Sequence, residues 1–474
     1  MMQIHVVNRG DTLSALAQRY GVSLDDIVLV NDIDDPDVLV VGQTLVIPQM
    51  NREYVVKPGD SLSIIATKYG ITVQQLREAN NITNSDLIFV GDLLVIPQVR
   101  HTVRSGETVW AIAKRYGVSV EQIVAANQMD NPSKVAVGEI LTIPLDDRPT
   151  TEVNAYSTDT TDGGKEEVLV LGRHFTYLSP FMYAVQANGT LDTMQDTLLL
   201  EAAEETNTLP LLVITNFRNS RFDSDLAASI LRNPTLQETL ITNILQTMRE
   251  KGYQGVNIDF EYVYPQDREN YNAFLRRVVA RLHPENYLVS TALAPKERAD
   301  QPGLLYEAHD YKAHGDIVDF VVLMTYEWGW AGGPPWAIAP INKVKDVLDY
   351  AVTDIPPEKI LLGTPLYGRD WKIPWQEGTF ARTISPQGAL QLAEEHKVNI
   401  QYNETYEAPF FRYVDDTGQR HEVWFEDARS VQAKYRVVKD YKLRGISYWV
   451  LGQPFPQNWP VLQNHFRVVK KKLN

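Results

Sequence analysis

The first third of the chain repeats one pattern of apolar and polar positions three times. The runs RGDTLSALAQRYGV, PGDSLSIIATKYGI and SGETVWAIAKRYGV contain Gly10, Gly59 and Gly106, which lie 49 and then 47 residues apart. A later asparagine, glycine and proline keep the same offsets in every copy. A fixed period of this length indicates three tandem copies of one structural unit.

Each copy has the pattern of a small β-α-α-β unit. A short β-rich run leads to a glycine and a polar residue, which suit a turn and the start of a helix. In the first copy, Gly21 follows this helix and is suited to end it in the left-handed conformation. A second helical stretch and a closing strand, 44–47, then precede Pro48. The first helix has four residues on one face: Leu13, Leu16, Ala17 and Tyr20.

The rest of the chain alternates apolar β-branched runs with amphipathic stretches, which predicts an α/β fold, a (β/α)8 TIM barrel. The segment 371–443 is too long for a loop and is rich in β-forming residues, so we expect an inserted small α+β lobe there. The predicted strands are 153–157, 175–185, 209–217, 255–263, 287–295, 317–326, 359–368 and 445–452. The clearest predicted helices are 235–251, 268–282 and 341–352. The predicted boundaries are 1–50, 51–99 and 100–146 for the three small modules, 147–152 for a linker and 153–474 for the barrel.

The composition narrows the classes of function. The 474 residues include no cysteine, and 45 Lys+Arg against 60 Asp+Glu give a net charge of −15. The acidic excess argues against a general affinity for nucleic acid or anionic lipid. The missing cysteines exclude disulfides, thiolate metal sites and cysteine nucleophiles. With 44% hydrophobic residues the chain has the composition of an ordinary folded protein.

Several sequence features bear on secretion, membrane insertion and metal binding. The start, MMQIHVVNRGDT, has neither the basic nor the apolar segment of a secretory signal, so we expect no classical signal peptide. No stretch approaches the ~18–20 consecutive apolar residues of a membrane span. The nine histidines show no metal-ligand spacing, and we expect the lysines of 470–472 to form a solvated tail.

The predicted fourth barrel strand carries an unusual row of polar residues. Alternation places Asn257, Asp259 and Glu261 on one face of this strand. Both faces of a barrel strand are normally apolar, so such a row is costly unless it serves a site. The row also approaches the carboxyl end of the strand, where barrel enzymes hold their active sites. The alternative is an ion-paired strand end without catalytic function.

The three amino-terminal copies resemble LysM modules, over residues 4–48, 53–97 and 101–144. The resemblance rests on Gly-Asp-Thr/Ser-Leu, Tyr-Gly, a central Asn and Val-Gly-x-x-Leu-x-Ile-Pro. It implies binding of peptidoglycan, chitin or another N-acetylglucosamine-containing glycan, and three tandem copies favour multivalent binding. Helix capping is the alternative role for individual residues. The implied contact residues are Gly10, Asp11, Thr12, Asn31, Gly59, Asp60, Ser61, Asn80, Gly106, Glu107, Thr108 and Asn127.

Residues 153–474 resemble glycoside hydrolase family 18. The resemblance rests on GVNIDFE at 255–261, MTYE at 324–327, GTPLYG at 363–368 and SYW at 447–449. It implies that Glu261 is the general acid/base. It also implies three further contacts with the substrate's sugar: Asp259 and Tyr326 to the acetamido group, and Trp449 as the floor of the sugar subsite. The other implied substrate-binding residues are Asn257, Glu327, Tyr367 and Trp328.

The resemblance implies a retaining, substrate-assisted reaction that needs neither metal nor organic cofactor. In this reaction the substrate's own 2-acetamido oxygen attacks the anomeric carbon, which is an exception to the two-carboxylate scheme. The chain departs from the family pattern at several positions. Gln254 and Asn257 stand at two aspartate positions, Glu327 replaces an aspartate, and ITNF at 214–217 replaces Ser-x-Gly-Gly.

Three tryptophans follow the predicted sixth strand in a loop rich in glycine and proline. Trp328, Trp330 and Trp336 suit stacking on sugar faces, and packing within the loop is the alternative.

The combination of LysM modules, NIDFE, MTYEWGW and WFEDARS most resembles the spore cortex-lytic and germination glycosylases of endospore-forming bacteria. This resemblance implies a glycosidase that hydrolyses N-acetylglucosamine linkages of cortex peptidoglycan during germination. It also implies synthesis in the mother cell and a location at the coat or cortex surface of the spore. A chitinase acting on chitin oligosaccharides and a non-catalytic glycan-binding coat protein are the alternatives. The sequence does not indicate an oligomeric state.

Overall fold

The computed structural model describes residues 2–49 and 52–471, and the chain forms two compact units. One unit contains Met1–Leu39, Thr44–Thr150 and Pro456–Arg467, and the other contains Val40–Gln43, Thr151–Phe455 and Val468–Asn474. Within the described part of the chain, no helix is both long and apolar enough to cross a membrane.

The first unit contains the three repeats, and each has the predicted order of strand, two helices and strand. The two strands of each repeat pair in an antiparallel manner. The strands are Gln3–Val6 with Thr44–Ile47, Glu53–Val55 with Leu93–Val95, and Gln98–Thr102 with Ile140–Pro144. The helices are Leu13–Tyr20, Leu24–Asn31, Leu62–Tyr69, Val73–Asn80, Val109–Tyr116 and Val120–Asn127. A further helix of this unit is Asn458–His465.

Local sequence explains where these short helices begin and end. The hydroxyl of Thr12 accepts a hydrogen bond from the backbone N–H of Ala15 at 3.2 Å and caps the first helix. Gly21 ends that helix with φ of 69°, as its lack of a Cβ allows. Leu13, Leu16 and Ala17 are buried together in the module's core. The helical face that the spacing predicts is therefore the buried face.

The second unit is built on a closed barrel of eight parallel strands, which confirms the predicted TIM barrel. Each strand pairs with the next along the chain, and the eighth pairs with the first. In chain order the barrel strands are Thr150–Ser157, Tyr177–Pro180, Leu209–Thr215, Gly255–Asp259, Leu288–Leu293, Phe320–Leu323, Ile360–Pro365 and Gly445–Trp449. Four short strands lie outside this order. Two of them form a hairpin, Phe217–Arg218 with Arg221–Phe222, and the others are Tyr183–Ala184 and Arg467–Val468.

All eight predicted strands are present, and most of them are shorter than the apolar runs that predicted them.

Helices connect the barrel strands. The helices are Asp162–Leu171, Thr197–Glu205, Ser224–Leu231, Pro234–Lys251, Arg268–Leu282, Tyr311–Ile317, Ile341–Asp354 and Ala428–Asp440. Short 3-10 turns are Gly172–His174, Pro265–Asp267, His283–Glu285 and Pro357–Lys359.

A five-stranded antiparallel sheet follows the seventh barrel strand. It is part of the α+β lobe that the spacing predicts, and its first strand begins at Gly368, slightly before the expected boundary. Its strands are Gly368–Ile373, Arg382–Ile384, Gln401–Asn403, Ala408–Val414 and Arg420–Trp424, and its helix is Pro386–Glu395.

The expectation of a solvated lysine tail is wrong at Lys471, whose Nζ pairs with the Glu152 carboxylate at 2.7 Å, and at Lys470. The Nζ of Lys470 donates hydrogen bonds to the carbonyls of Gly172 and Phe175, both at 2.6 Å, and to that of Thr206 at 3.1 Å. The three residues are the C-caps of helical segments, and carbonyls at such ends attract a cation. Burial lowers the pKa of Lys470 to about 7. Lys472 lies outside the described residues.

Candidate active site

A cavity of about 710 Å³ contains residues from the carboxyl ends of several barrel strands. Carboxylates, one arginine and many aromatic rings share its wall, which is the composition expected of a sugar-binding cleft. The polar residues in its wall include Asp259, Glu261, Tyr326, Glu327 and Arg369. The aromatic residues in its wall include Tyr156, Phe217, Phe222, Tyr262, Trp328, Trp330 and Trp449.

The fourth barrel strand delivers the two central carboxylates. Asp259 is its last residue and is 5% exposed, and Glu261 follows two residues later and is partly buried. Asn257 lies deeper, at 1% exposed, and does not reach the cavity wall. Its side chain accepts a hydrogen bond from the Tyr156 hydroxyl at 2.9 Å and donates one to the Ser290 hydroxyl at 3.0 Å. Asn257 thus supports the barrel beneath the two carboxylates.

Burial controls the ionisation of both carboxyl groups. Removal from water raises the pKa of Asp259 and raises the pKa of Glu261 well above its ordinary value. Asp259 and Glu327 add like-charge repulsion to the burial of Glu261. The Oδ1 atom of Asp259 is buried and has no hydrogen-bond partner among the described residues. A proton donor on a bound sugar would relieve the cost of this unpaired acceptor.

A second group of polar residues lies across the sixth and seventh strand ends. Tyr326 lines the cavity, and Glu327 follows it with φ of 68°. Glu327 accepts hydrogen bonds from the Tyr367 hydroxyl and, at 2.8 Å, from the Arg369 guanidinium. Tyr367 is only 3% exposed, so it positions Glu327 and does not itself line the cavity.

The tryptophans divide between the cavity and the inserted lobe. Trp449, at the end of the eighth strand, lines the cavity with its ring edge-on to Tyr156, at 5.4 Å between centroids. Trp328 and Trp330 also line it, and Trp330 is 51% exposed. Trp336 instead packs edge-on against Tyr406 of the lobe at 5.8 Å. Trp328 and Trp330 are therefore positioned where they could stack on a sugar, whereas Trp336 packs within the protein.

The predicted contact turns of the modules have a common internal geometry. The Asp11 carboxylate accepts hydrogen bonds from the Asn8 backbone N–H at 2.8 Å and from His5 at 2.9 Å. These hydrogen bonds lower the pKa of Asp11. Glu107 of the third module has the equivalent contacts with Arg104 N–H and His101, both at 2.8 Å, so glutamate reproduces the aspartate of the first module.

The equivalent turn of the second module has a tyrosine in place of the histidine. Asp60 accepts hydrogen bonds from the Tyr54 hydroxyl and the Lys57 backbone N–H, both at 2.8 Å. Ser61 and Thr108 cap their helices as Thr12 does. Gly10, Gly59 and Gly106 have positive φ values of 92°, 84° and 81°, which the turns require.

The central asparagine of each module connects its second helix to its closing strand. Asn31 donates to the carbonyls of Ile27 and Val46 at 2.9 and 2.8 Å, and it accepts from the Val46 N–H at 2.7 Å. Asn80 and Asn127 make the same three contacts in their modules. Asn31 and Asn80 are buried and Asn127 is partly buried, and each side-chain amide bonds to the module's own backbone. The Oδ1 of Asn31 also accepts a hydrogen bond from Gln457 Nε2 at 3.0 Å.

The sequence did not reveal the roles of Arg369, which lines the cavity, and Asn216, which contacts Glu261. Arg369 lies shortly after the seventh strand, and Glu327 lies after the sixth. The fold brings the two side chains together into an ion pair. Asn216 belongs to the segment 214–217 that departs from the family pattern, and its side chain contacts the backbone of Glu261. Within residues 2–49 and 52–471, no group of three or more His, Asp or Glu side chains is arranged to hold a metal ion.

A closed parallel barrel with a buried acidic pair at its carboxyl end defines the class: this is a TIM-barrel glycoside hydrolase. The chain belongs to the glycosyl hydrolases of family 18. The model of that family matches residues 218–453, and the LysM domain matches 5–48, 54–97 and 101–144.

Several relatives match the whole chain. The cortical fragment-lytic enzyme of Bacillus subtilis (strain 168) is 48% identical over 475 residues, covering 99% of both chains. The crystal structure of the Bacillus cereus spore cortex-lytic enzyme SleL matches with a TM-score of 0.78 and 40% identity, covering 100% of both chains. The Bacillus megaterium QM B1551 spore cortex-lytic enzyme SleL matches with a TM-score of 0.79 and 36% identity, covering 99% of both.

Proposed function

We propose that this glycosidase hydrolyses N-acetylglucosamine linkages of spore cortex peptidoglycan during germination. The observation that carries the proposal is the placement of Asp259 and Glu261 together at the end of one strand in an aromatic-lined cavity. The names of the full-length relatives, cortical fragment-lytic and spore cortex-lytic enzyme, support cortex glycan as the substrate.

In the proposed reaction Glu261 is the general acid and then the general base. Its raised pKa keeps it protonated, so it donates a proton to the glycosidic oxygen as that oxygen leaves the anomeric carbon. The acetamido oxygen of the same sugar forms the new bond to this carbon, and Asp259 with Tyr326 holds the acetamido group. Water then opens the cyclic intermediate while the Glu261 carboxylate takes its proton. Two displacements at one carbon retain its configuration.

The three modules are proposed to bind the same glycan through their glycine-containing turns. Three weak sites on one chain raise the effective concentration of the enzyme at a polymer.

We further propose that the mother cell makes the protein and that it acts at the coat or cortex surface of the spore. Localising a fluorescent fusion expressed from the gene's own promoter tests this; fluorescence that arises inside the forespore, or that stays in the mother-cell cytoplasm, would contradict it.

Replacing Glu261 tests the proposed chemistry. Glu261→Gln should lower kcat on purified cortex fragments by at least ~10²-fold, because the amide cannot donate a proton as an acid does. The matched control is Glu285→Gln, a surface residue that pairs with Arg249, and it should retain wild-type kcat. Chitin oligosaccharides assayed in parallel define the substrate, since cleavage of chitin alone would refute the assignment to cortex.

A substrate with a better leaving group distinguishes loss of the general acid from misfolding of the Glu261→Gln variant. Aryl glycosides of N-acetylglucosamine oligosaccharides carry leaving groups that depart without protonation. With a dinitrophenyl glycoside the defect of Glu261→Gln in kcat/KM, which reports the first displacement, should therefore shrink to about tenfold or less. A defect of equal size on both substrates would contradict the role of Glu261 as general acid.

A further inference from the structure

The backbone that carries Glu261 leaves regular structure just before this residue. The fourth barrel strand ends at Asp259, and Tyr262 has φ of 52°, a conformation that L residues rarely adopt. Outside the strand ladder, the backbone polar groups of this segment need other partners.

Side chains from three other elements supply those partners. His309 Nε2 donates to the Phe260 carbonyl at 3.0 Å; its Nδ1 accepts from the Ala294 N–H at 2.8 Å, which fixes the tautomer. The next carbonyl, that of Glu261, accepts from Asn216. The carbonyl of Tyr262 accepts from the Ser224 hydroxyl at 2.6 Å. Three successive carbonyls are thus held by three separate side chains.

Asn216 holds both backbone groups of Glu261 with one amide. Its Nδ2 donates to the Glu261 carbonyl at 2.9 Å, and its Oδ1 accepts from the Glu261 N–H at 3.0 Å. The side chain is fully buried, and Nδ2 also donates to the Asp223 carbonyl at 3.1 Å. Since an amide is planar, this pair of hydrogen bonds fixes the orientation of the Glu261 backbone.

The same residue organises the cavity wall beside Glu261. Asn216 and Asp223 flank the hairpin that carries Phe217 and Phe222, and both rings line the cavity. The Asp223 side chain caps the following helix. One buried amide therefore ties the acid's backbone to the hairpin and the helix next to it.

We propose that Asn216 is a positioning residue for the general acid, acting through the backbone of Glu261. The inference rests on the proposed function of Glu261. The carboxyl carbon of Glu261 is three bonds from its Cα and moves when that Cα moves, and a displacement of about 1 Å at a catalytic group costs roughly 10²-fold in rate. Substrate binding by the remaining aromatic wall is less sensitive to such a shift.

The test is Asn216→Ala, assayed on soluble cortex fragments. We expect kcat to fall about tenfold or more while KM stays within about threefold. We also expect the basic limb of the kcat profile to move to lower pH. The freed Glu261 carboxyl gains access to water, which weakens the burial that raises its pKa.

Two variants measured alongside separate the possible causes. Asn243→Ala removes an amide that donates to the carbonyls of Gly189 and Thr239, on the helix Pro234–Lys251, and should leave kcat and the pH profile unchanged. Activity retained by Glu261→Gln would refute the proposed function itself. If Glu261→Gln is inactive but Asn216→Ala keeps kcat within about twofold and an unshifted pH profile, the inference about Asn216 alone is overturned.

Ser224→Ala decides the question if Asn216→Ala does not yield folded protein. Ser224 is partly exposed and holds the next carbonyl of the same segment. We expect a two- to fivefold fall in kcat, roughly, with the basic limb again moving to lower pH. A wild-type kcat and pH profile for this variant would overturn the inference.

Discussion

At the scale of the residue, alternation along one strand predicted that Asp259 and Glu261 lie close together, and both line the cavity. The spacing of Asn257, Asp259 and Glu261 requires only that the segment be extended, and it is extended as far as Asp259. Their environment could not be predicted, because burial and neighbouring charge come from other strands. Arg369 and Asn216 are far from Glu261 in sequence, so no local pattern connects them.

The charge on Glu327 should affect the pH dependence of the enzyme. Its repulsion contributes to the raised pKa of Glu261, and the proposed general acid must be protonated to act. Glu327→Gln removes that repulsion and leaves the Arg369 cation unpaired, and both changes favour ionisation of Glu261. We expect the basic limb of kcat/KM to move to lower pH by about half a pH unit, which corresponds to ~0.7 kcal/mol.

Glu285→Gln is the control for this measurement, because it removes one negative charge from the surface far from Glu261's neighbours. Its profile should overlay that of the wild type. A basic limb that stays in place or moves to higher pH in Glu327→Gln would contradict the electrostatic account.

At the scale of the element, short apolar runs identified every barrel strand but overstated most of their lengths. The run 255–263 predicted a strand up to Val263, whereas the strand ends at Asp259 and the chain turns at Tyr262. Apolar residues beyond the strand end are buried in the loop, so hydrophobicity alone does not mark the boundary. In the modules, caps and glycines gave closer boundaries because they act locally.

The central asparagine should matter to module stability. Asn80→Ala removes three buried hydrogen bonds between the helix Val73–Asn80 and the closing strand, leaving the Val95 N–H and C=O without their partner. We expect amide protection in the second module of the full-length protein to fall by about 2–3 kcal/mol, measured by hydrogen exchange.

The same helix offers a control in Gln74, whose side chain donates to Glu78 on the exposed surface. Gln74→Ala should change the protection by no more than ~0.5 kcal/mol. Equal effects of the two substitutions would show that the buried amide of Asn80 is not a structural link.

At the scale of the whole molecule, the period of the repeats and the β/α alternation predicted both kinds of fold in the chain. The lobe after the seventh strand could be predicted only as an insertion, because its antiparallel pairing depends on contacts between segments such as Gly368–Ile373 and Arg420–Trp424. The net charge of −15 bears on recognition, since peptidoglycan carries carboxylates of the same sign.

Binding of the full-length protein to cortex glycan should therefore depend little on ionic strength. Recognition through hydrogen bonds and stacking on sugars predicts a Kd that changes less than about twofold between 50 and 500 mM salt, or that improves as repulsion is screened. Cosedimentation with purified cortex measures this, with neutral chitin as the reference polymer. A severalfold loss of binding at high salt would show that electrostatic attraction dominates.

The most direct test of the central claim is the stereochemistry and position of the first cut. Time-resolved proton NMR of cortex fragments during hydrolysis reports the anomeric configuration of each new reducing end before mutarotation. Participation of the acetamido group, with Glu261 as acid and base, predicts new reducing ends at N-acetylglucosamine that appear first in the retained β configuration. Inverted products, or new reducing ends at the muramic sugar, would contradict the account.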